Sequence, residues 1–362
     1  MTTPLQTLPP LTIQTVGTDR DRAVFMDVPR RVFAGDPAWA PPFLFELRER
    51  LDPARNPYFA HAEMAKWLAF RGDEPVGRIS AQINREAIRQ HGFDHGNFGF
   101  FDVADDGEAA AALLKVAEDW LGARSMPHVI GPYNPTINEE PGILVDGFDT
   151  APRMLMAHSR PYYQGFVEAA GYTGVKDLYA YDLDIRNEIL PPSLKRLTGR
   201  FQKDGGLVVR PVRMSHYRED LDIILRIFND AWSGNWGYVP MTDAELRHMA
   251  DGLKILVRPA LSMIAEWEGE PIGMMVTLPN LNEILQKIDG RLLPFGWARL
   301  LWWLKVSVPE TVRVALMGVL QDHQNSALGA AASVSLIEVI RQNGRAMGVK
   351  YADLSWIVVV NL

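Results

Sequence analysis

Apolar residues along the chain recur with strand-like and helix-like periods, and the order of these stretches predicts the architecture. From Val312 to Leu320 the run is almost continuously apolar, as in a strand covered on both faces. The residues Asn325-Ser326-Ala327-Leu328-Gly329-Ala330-Ala331 follow as a small-residue turn, then a helical pattern to about Gly344, then a strand-like run from Tyr351 to Val360. A strand that opens through small residues into a helix leaves backbone N–H groups bare at the helix's positive end. No acidic residue lies between Asn325 and Val334, so this end suits a phosphate or pyrophosphate. The segment reads as a binding unit for a phosphate-bearing ligand.

The same order occurs twice. Gly72-Asp73-Glu74-Pro75-Val76-Gly77 matches Glu268-Gly269-Glu270-Pro271-Ile272-Gly273, and Leu11 to Val16 matches Leu207 to Val212, both at an offset of 196 residues. Around these matches each half has a strand, a helix (Arg20 to Phe33; Leu221 to Trp232) and a hairpin (Trp67 to Asn84; Met263 to Pro279). A strand, a helix and a further strand complete the pattern. Tandem copies of one α/β domain are expected, over residues 1–190 and 191–362.

The copies diverge where a ligand would sit. In the first, the strand Phe98 to Val103 runs into Ala104-Asp105-Asp106-Gly107-Glu108 before a helix from Ala109 to Leu121. Those carboxylates cap the helix and repel an anion, so the first copy is expected to lack the phosphate site. The second carries a surplus, Leu292 to Lys305, with three tryptophans and two basic residues. This run suits a membrane interface or an acyl-chain groove; a helix packed onto its own domain is the alternative. With Arg299 and Lys305 inside it, it is too short to span a bilayer. The second copy also lacks a match to the helix Pro161 to Gly171 and the strand Val175 to Ile185. Its final run, Trp356 to Val360, would then present a bare apolar edge. Either closing elements are missing, the reading preferred here, or another strand covers that edge.

Composition narrows the choice of function. The 362 residues are 47% hydrophobic and 22% charged, and a formal net charge of −7 without a basic run argues against a nucleic-acid partner. The lack of cysteine excludes disulfides, thiolate metal sites and a thiol nucleophile. His91 and His95 stand four apart, but the intervening Gly92 and the absence of a glutamate between them argue against a zinc helix, and no metal is expected. No G-x-S-x-G elbow or full Walker loop occurs. Met1 to Leu11 has prolines and threonines where a leader would need a charged start and an apolar run, so a cytoplasmic protein is the default expectation.

The element order resembles the GNAT (GCN5-related N-acetyltransferase) superfamily, in which the turn after the fourth strand cradles the coenzyme A pyrophosphate. Ser326 to Ala331 matches the Gly and Ala places of that turn but lacks its leading Gln or Arg. Longer stretches resemble the bacterial ceramide synthase-like family of tandem GNAT-like proteins: Asn56 to Glu63, Gly77-Arg78-Ile79, Gly131 to Glu140, Gly142 to Phe148, Asn235 to Pro240 and Ser355-Trp356-Ile357. The resemblance covers nearly the whole chain. It implies an α/β (α+β) fold of two GNAT-like domains with mixed, mainly antiparallel sheets. It also implies acyl transfer from a thioester to an amine, in some members a long-chain sphingoid base. The family usually places an acidic residue shortly after the Ser-Trp-Ile strand, where this chain has Val359-Val360, and continues beyond Leu362.

Amide formation from a thioester needs a neutral amine, donors for the carbonyl oxygen and a proton for the leaving thiolate, but no nucleophilic side chain. Acyl-CoA is the expected co-substrate, held by Asn325, Ser326, Ala327, Leu328, Gly329, Ala330 and Ala331. Glu283, just past the hairpin, and Asp353, on the last strand, are the candidate bases, each weighed against an ordinary surface carboxylate. Asn134, Asn138, Glu139 and Glu140, on a loop shaped by glycines and prolines, are candidates for recognising a small-molecule or lipid-like amine. Asn235, Trp236 and Tyr238 lie where GNAT enzymes commonly receive the acceptor. An amino acid or protein amine as acceptor, or a non-catalytic binding protein, are the competing readings.

Overall fold

Two hairpins at the centre of the chain's repeat build two sheets, and in each unit the helices cover the apolar faces of its own sheet. The computed structural model describes residues 8–188 and 190–358. Val359 and Val360, singled out above, lie outside the described residues. Contacts divide the chain into two units, Met1–Val175 with Leu285–Gly290, and Lys176–Ile284 with Arg291–Leu362.

The first unit runs β1 (Leu11–Thr15), α1 (Asp19–Val32), α2 (Leu44–Arg50), β2 (Ala62–Arg71), β3 (Glu74–Asn84), α3 (Arg85–His91), β4 (His95–Val103), α4 (Gly107–Gly122), β5 (His128–Ile130) and α5 (Tyr163–Ala169). Its five-stranded sheet has the order β1-β2-β3-β4-β5, with only β4 and β5 parallel. Phe25, Val28 and Val32 of α1 and Leu113, Leu114, Ala117 and Leu121 of α4 form its core with Ile79, Ala81 and Phe98.

The second unit runs β6 (Leu178–Asp184), α6 (Pro192–Gln202), β7 (Leu207–Pro211), α7 (Tyr217–Trp232), α8 (Asp243–Leu253), β8 (Ser262–Trp267) and β9 (Glu270–Pro279). It continues with the start of α9 (Asn282–Ile288), whose residues from Leu285 on belong to the first unit, then α10 (Gly296–Lys305), β10 (Thr311–Val319), α11 (Gln321–Gln324), α12 (Ala327–Met347) and β11 (Tyr351–Val358). Alternation along β8 sends Met263 and Ala265 toward α12 with Leu336 and Ile340, and Ile264 toward α7 with Ile227 and Phe228. Both faces of this sheet are therefore covered, which accounts for the unbroken apolar character of its strands.

The internal repeat holds at the level of register. Leu11 pairs with Arg71 and Leu207 with Trp267, and each hairpin carries a bulge, after Ala69 and after Ala265, all 196 positions apart. Gly77 and Gly273 occupy equivalent places, each packed against the next strand and a helix side chain (Leu113 and Leu336).

One strand departs from the sequence reading. The segment expected to close the first copy, Val175 to Ile185, forms β6 and pairs antiparallel with β11 in the second sheet, Tyr351 opposite Asp184 and Leu354 opposite Tyr181. The apolar edge that suggested missing elements is covered by a strand from earlier in the chain. The order of the second sheet is β6-β11-β10-β9-β8-β7. Hydrophobic pattern identifies a strand but not its neighbour, and pairing here spans some 170 residues of sequence. The helix expected to stop near Gly344 instead runs to Met347 and ends at Gly348, whose φ of 97° terminates it. Gly344 is a packing glycine, since a Cβ there would stand 3.2 Å from Ile185.

Candidate active site

β10 and β11 are parallel but pair only from Thr311–Tyr351 to Val314–Leu354. Beyond that point β10 bulges at Ala315 and follows β9 to Val319. β11 instead follows β6 through its own shift between Leu354 and Ile357. The two strands part, and the edge of β10 over residues 315–319 has no β11 partner. A crevice beyond the carboxyl ends of parallel strands is the usual place for a ligand in such sheets.

At the far end of β10 the chain makes the short α11 and then enters α12. Gln321 and Gln324 fix α11 to the end of α7: the Gln321 N–H donates to Asp230 Oδ2 at 2.7 Å and Gln324 Nε2 to the Ala231 carbonyl at 3.1 Å. Ser326 is the N-cap of α12, accepting from the Gly329 N–H at 3.0 Å while its hydroxyl donates to the His323 carbonyl at 2.7 Å. The expected open turn is thus a serine cap followed directly by helix, because Ala-rich sequence after a cap favours helix at once. Ser326 takes one first-turn donor; the N–H groups of Ala327 and Leu328 belong to those a helix cannot satisfy itself. Asn325, Ser326, Ala327 and Ala330 are exposed, Leu328 is half-buried, and Gly329 and Ala331 are buried. A Cβ on Gly329 would fall 2.0 Å from the His323 carbonyl oxygen, so α11 fits against α12 only with glycine there. The positive end of a 21-residue helix reaching solvent through small residues fits an anionic group.

Asp353 lies on β11 in the paired stretch, opposite Arg313 of β10. Both are buried, Arg313 Nε lies 3.8 Å from Asp353 Oδ1, and the Ser355 hydroxyl donates to the same oxygen. The Arg313 guanidinium also stacks 4.8 Å from the Trp356 ring. The solvent-facing strand position considered for Asp353 is therefore not where it sits. Glu283, on α9, accepts from the Thr311 N–H at 2.8 Å, the Thr311 hydroxyl at 2.7 Å and the Glu310 N–H at 3.1 Å. It ties down the start of β10.

In the first unit the corresponding parting of β4 and β5 is filled by the chain itself. After Ile130 the Tyr133 N–H donates to the Phe98 carbonyl at 2.8 Å, and Asn134 Oδ1 accepts from the Phe100 N–H. Gln82 Nε2 donates to the carbonyls of Tyr133 and Pro135 at 2.8 and 3.1 Å. The Asn134 N–H donates to the Glu140 carbonyl at 3.1 Å, folding the loop back on itself. Glu140 and Glu139 both pair with Arg50 of α2, at 2.7 and 3.4 Å. Asn138 donates its N–H to Thr136 Oγ1 at 3.2 Å. At the head of α4, Asp106 accepts from the Ala109 N–H at 3.0 Å and pairs with Arg71 at 2.7 Å. The carboxylate cap expected from sequence is present, and an arginine neutralises it.

Tyr238 is buried against Phe228, its hydroxyl donating to Asn229 Oδ1 at 2.8 Å, whereas Trp236 is exposed. The Asn235 carbonyl accepts from the Tyr238 N–H at 3.1 Å, closing the turn after α7. Sequence reasoning passed over two residues that organise these places, Arg50 and Arg313. Arg313 was visible as the one charge inside the apolar run Val312 to Leu320; Arg50 carried no comparable signal.

Two sheets repeated in register, each with a fourth and fifth strand that part beside a helix N-terminus, define a tandem GNAT-like protein. The glucosamine N-acetyltransferase region, GCN5-related, of a fungal multi-domain β-N-acetylglucosaminidase superposes with a TM-score of 0.56 over 97% of this chain and 36% of that one, at 12% identity. No family model matches the chain. The bacterial ceramide synthase of Caulobacter vibrioides is 39% identical over 97% of this chain and 91% of its own length. Protein YghO of Escherichia coli is 37% identical over 96% of this chain and 89% of its own. The chain belongs to the bacterial ceramide synthase family of tandem GNAT-like acyltransferases.

Proposed function

We propose that the second unit moves an acyl group from a coenzyme A thioester to an amine, and that the amine is lipid-like, such as a long-chain sphingoid base. The observation that carries this reading is the parting of β10 and β11 beside the exposed N-terminus of α12. A coenzyme A thioester has matching parts. Its pyrophosphate suits the N–H groups of Ala327 and Leu328, with Ser326 and Asn325 beside them. Its amide-containing arm suits the edge of β10 over residues 315–319 that β11 leaves, where the Met317 and Val319 carbonyls already accept from Trp232 Nε1 and Gln324 Nε2 and the backbone N–H groups are the donors on offer. The neutral amine attacks the thioester carbonyl, the C–N bond forms, the C–S bond breaks, and the thiolate leaves with a proton that the amine gives up.

Asp353 is the proposed polar partner of the reacting amine, held by Arg313 and Ser355 at the point where the strands part. Glu283, held by three donors, serves as an anchor for β10. The first unit is proposed to take no thioester, because the loop from Tyr133 to Glu140 fills its crevice. Asn134, Glu139 and Glu140 then shape that loop, and Asn235, Trp236 and Tyr238 shape the turn after α7 on the acceptor side. The lipid-like acceptor is supported by the Caulobacter relative, a ceramide synthase.

The test is turnover by the full chain with a long-chain acyl-CoA and sphinganine, following free thiol and the amide product by mass spectrometry. Amide and thiol in equal amounts support the proposal. Product with amino acids but not with sphinganine would move the acceptor to another class, and no thiol with any amine would leave a binding protein.

A further inference from the structure

Between Arg291 and Pro309 the chain carries Arg291, Arg299 and Lys305 and no acidic residue, bounded by Asp289 and Glu310, in a protein of net charge −7. Among the described residues the segment gathers several of its unit's exposed large apolar side chains. Leu293 is 80% exposed, Phe295 72% and Trp302 61%, and Trp297, Leu301 and Val306 are exposed with them. α10 explains how this arises. Its inner side, Leu300, Trp303 and Leu304, faces the protein, with Trp303 only 3% exposed, and Arg258 donates to the Leu304 carbonyl at 3.1 Å. On the outward arc Leu301, Trp302 and Lys305 are exposed, Trp297 lies at its edge, and Phe295 and Leu293 extend it beyond the helix. The helix packs on its own unit by one side, as the second alternative raised from sequence expected, and leaves an aromatic face in water.

Single exposed apolar residues need no explanation, but a contiguous aromatic face rimmed by cations does. A second copy of the chain would meet the same cations across a self-complementary contact and repel them. An anionic bilayer instead receives the indole and phenyl rings at headgroup depth and the arginine and lysine at its negative surface. Among the described residues no helix is long and apolar enough to cross a membrane, so contact would be with one leaflet only. We infer that α10 and the segment before it form a docking surface for an anionic lipid bilayer. This stands apart from the identity of the acyl donor or acceptor, since none of its residues belongs to the β10–β11 crevice.

The experiment is flotation of the full chain with vesicles of phosphatidylcholine alone or mixed with phosphatidylglycerol. The chain should float with the anionic vesicles and not with the neutral ones, and raised salt should weaken binding on the order of tenfold. The double variant Phe295→Ser, Trp302→Ser should lose binding on the order of tenfold with an unchanged melting temperature, and Arg299→Glu, Lys305→Glu should do the same. A readout that needs no variant is quenching of wild-type tryptophan fluorescence by acyl-chain-brominated lipid, expected only in anionic vesicles. Failure to float or be quenched, equal binding to neutral vesicles, or indifference to the substitutions would overturn the inference. So would self-association that the double variant abolishes, because a second copy would then be what covers the face.

Discussion

Gly99 and Tyr133 meet backbone to backbone: a Cβ on Gly99 would stand 1.8 Å from the Tyr133 carbonyl oxygen. That contact seals, in the first unit, the place that corresponds to the parting of β10 and β11 in the second. Gly99→Ala must therefore push the loop out of the sheet. It is expected to cost about 3 kcal/mol, the upper end of the range for overpacking, and to break the Gln82 bonds to Tyr133 and Pro135. Thermal melting of the variant beside wild type checks this; an unchanged midpoint would mean that the loop does not fill the crevice.

The α12 cap gives a milder expectation. Ser326→Ala removes the acceptor of the Gly329 N–H and the donor to His323, so a loss of about 1 kcal/mol in stability is expected. Aspartate at the same position should restore the cap and yet repel an anion from the helix end. Stability regained without acyl-CoA binding regained would separate the two roles, and recovery of both would place the anion elsewhere.

Asp220 provides a pH signature. Burial pushes its carboxyl up, but hydrogen bonds from Arg213 and Arg210 outweigh this and hold it at about 2. An aspartate in the unfolded chain titrates near 3.9, so this stabilisation is complete above about pH 4 and is lost as pH falls toward about 2. Asp220→Asn leaves two arginines against a neutral amide and should cost about 3 kcal/mol at neutral pH. The gap between variant and wild type should narrow in urea titrations as pH drops through that window. A gap that does not change with pH would show that the carboxylate charge contributes nothing.

At Asp353, expectations for activity and stability differ. Asp353→Asn keeps the shape and an acceptor for Ser355 but unbalances the buried Arg313. If Asp353 assists the amine, kcat should fall by on the order of a hundredfold while KM for acyl-CoA holds. If it is only a buried partner of Arg313, activity should track the folded fraction instead. Arg313→Lys, which keeps the charge, helps to separate these outcomes.

Much of this was legible in the sequence, for reasons particular residues make plain. The repeat could be read because the Glu-Pro-aliphatic-Gly turns fix two hairpins, and both keep their bulge and register in the structure. The first-copy carboxylate cap was legible because Asp106 acts on its own helix a few residues away. What escaped was non-local. Nothing in Leu178–Asp184 says that it will pair with β11, since an edge strand's exposed Tyr179 and Tyr181 carry no address. Nor does the sequence say that Glu283 will be spent on the backbone of Glu310 and Thr311, or that the loop after Ile130 will turn inward to fill a crevice.

The exposed N-terminus of α12 in the second unit is proposed to receive a coenzyme A thioester. Calorimetric titration of the wild-type chain and of Gly329→Asp with coenzyme A and a long-chain acyl-CoA tests it most directly. Wild type should bind both, the acyl form more tightly. The variant, with a carboxylate forced against the His323 carbonyl, should bind neither while circular dichroism shows it folded. Absence of binding to wild type, or equal binding to a folded variant, would place the thioester elsewhere or nowhere on this chain.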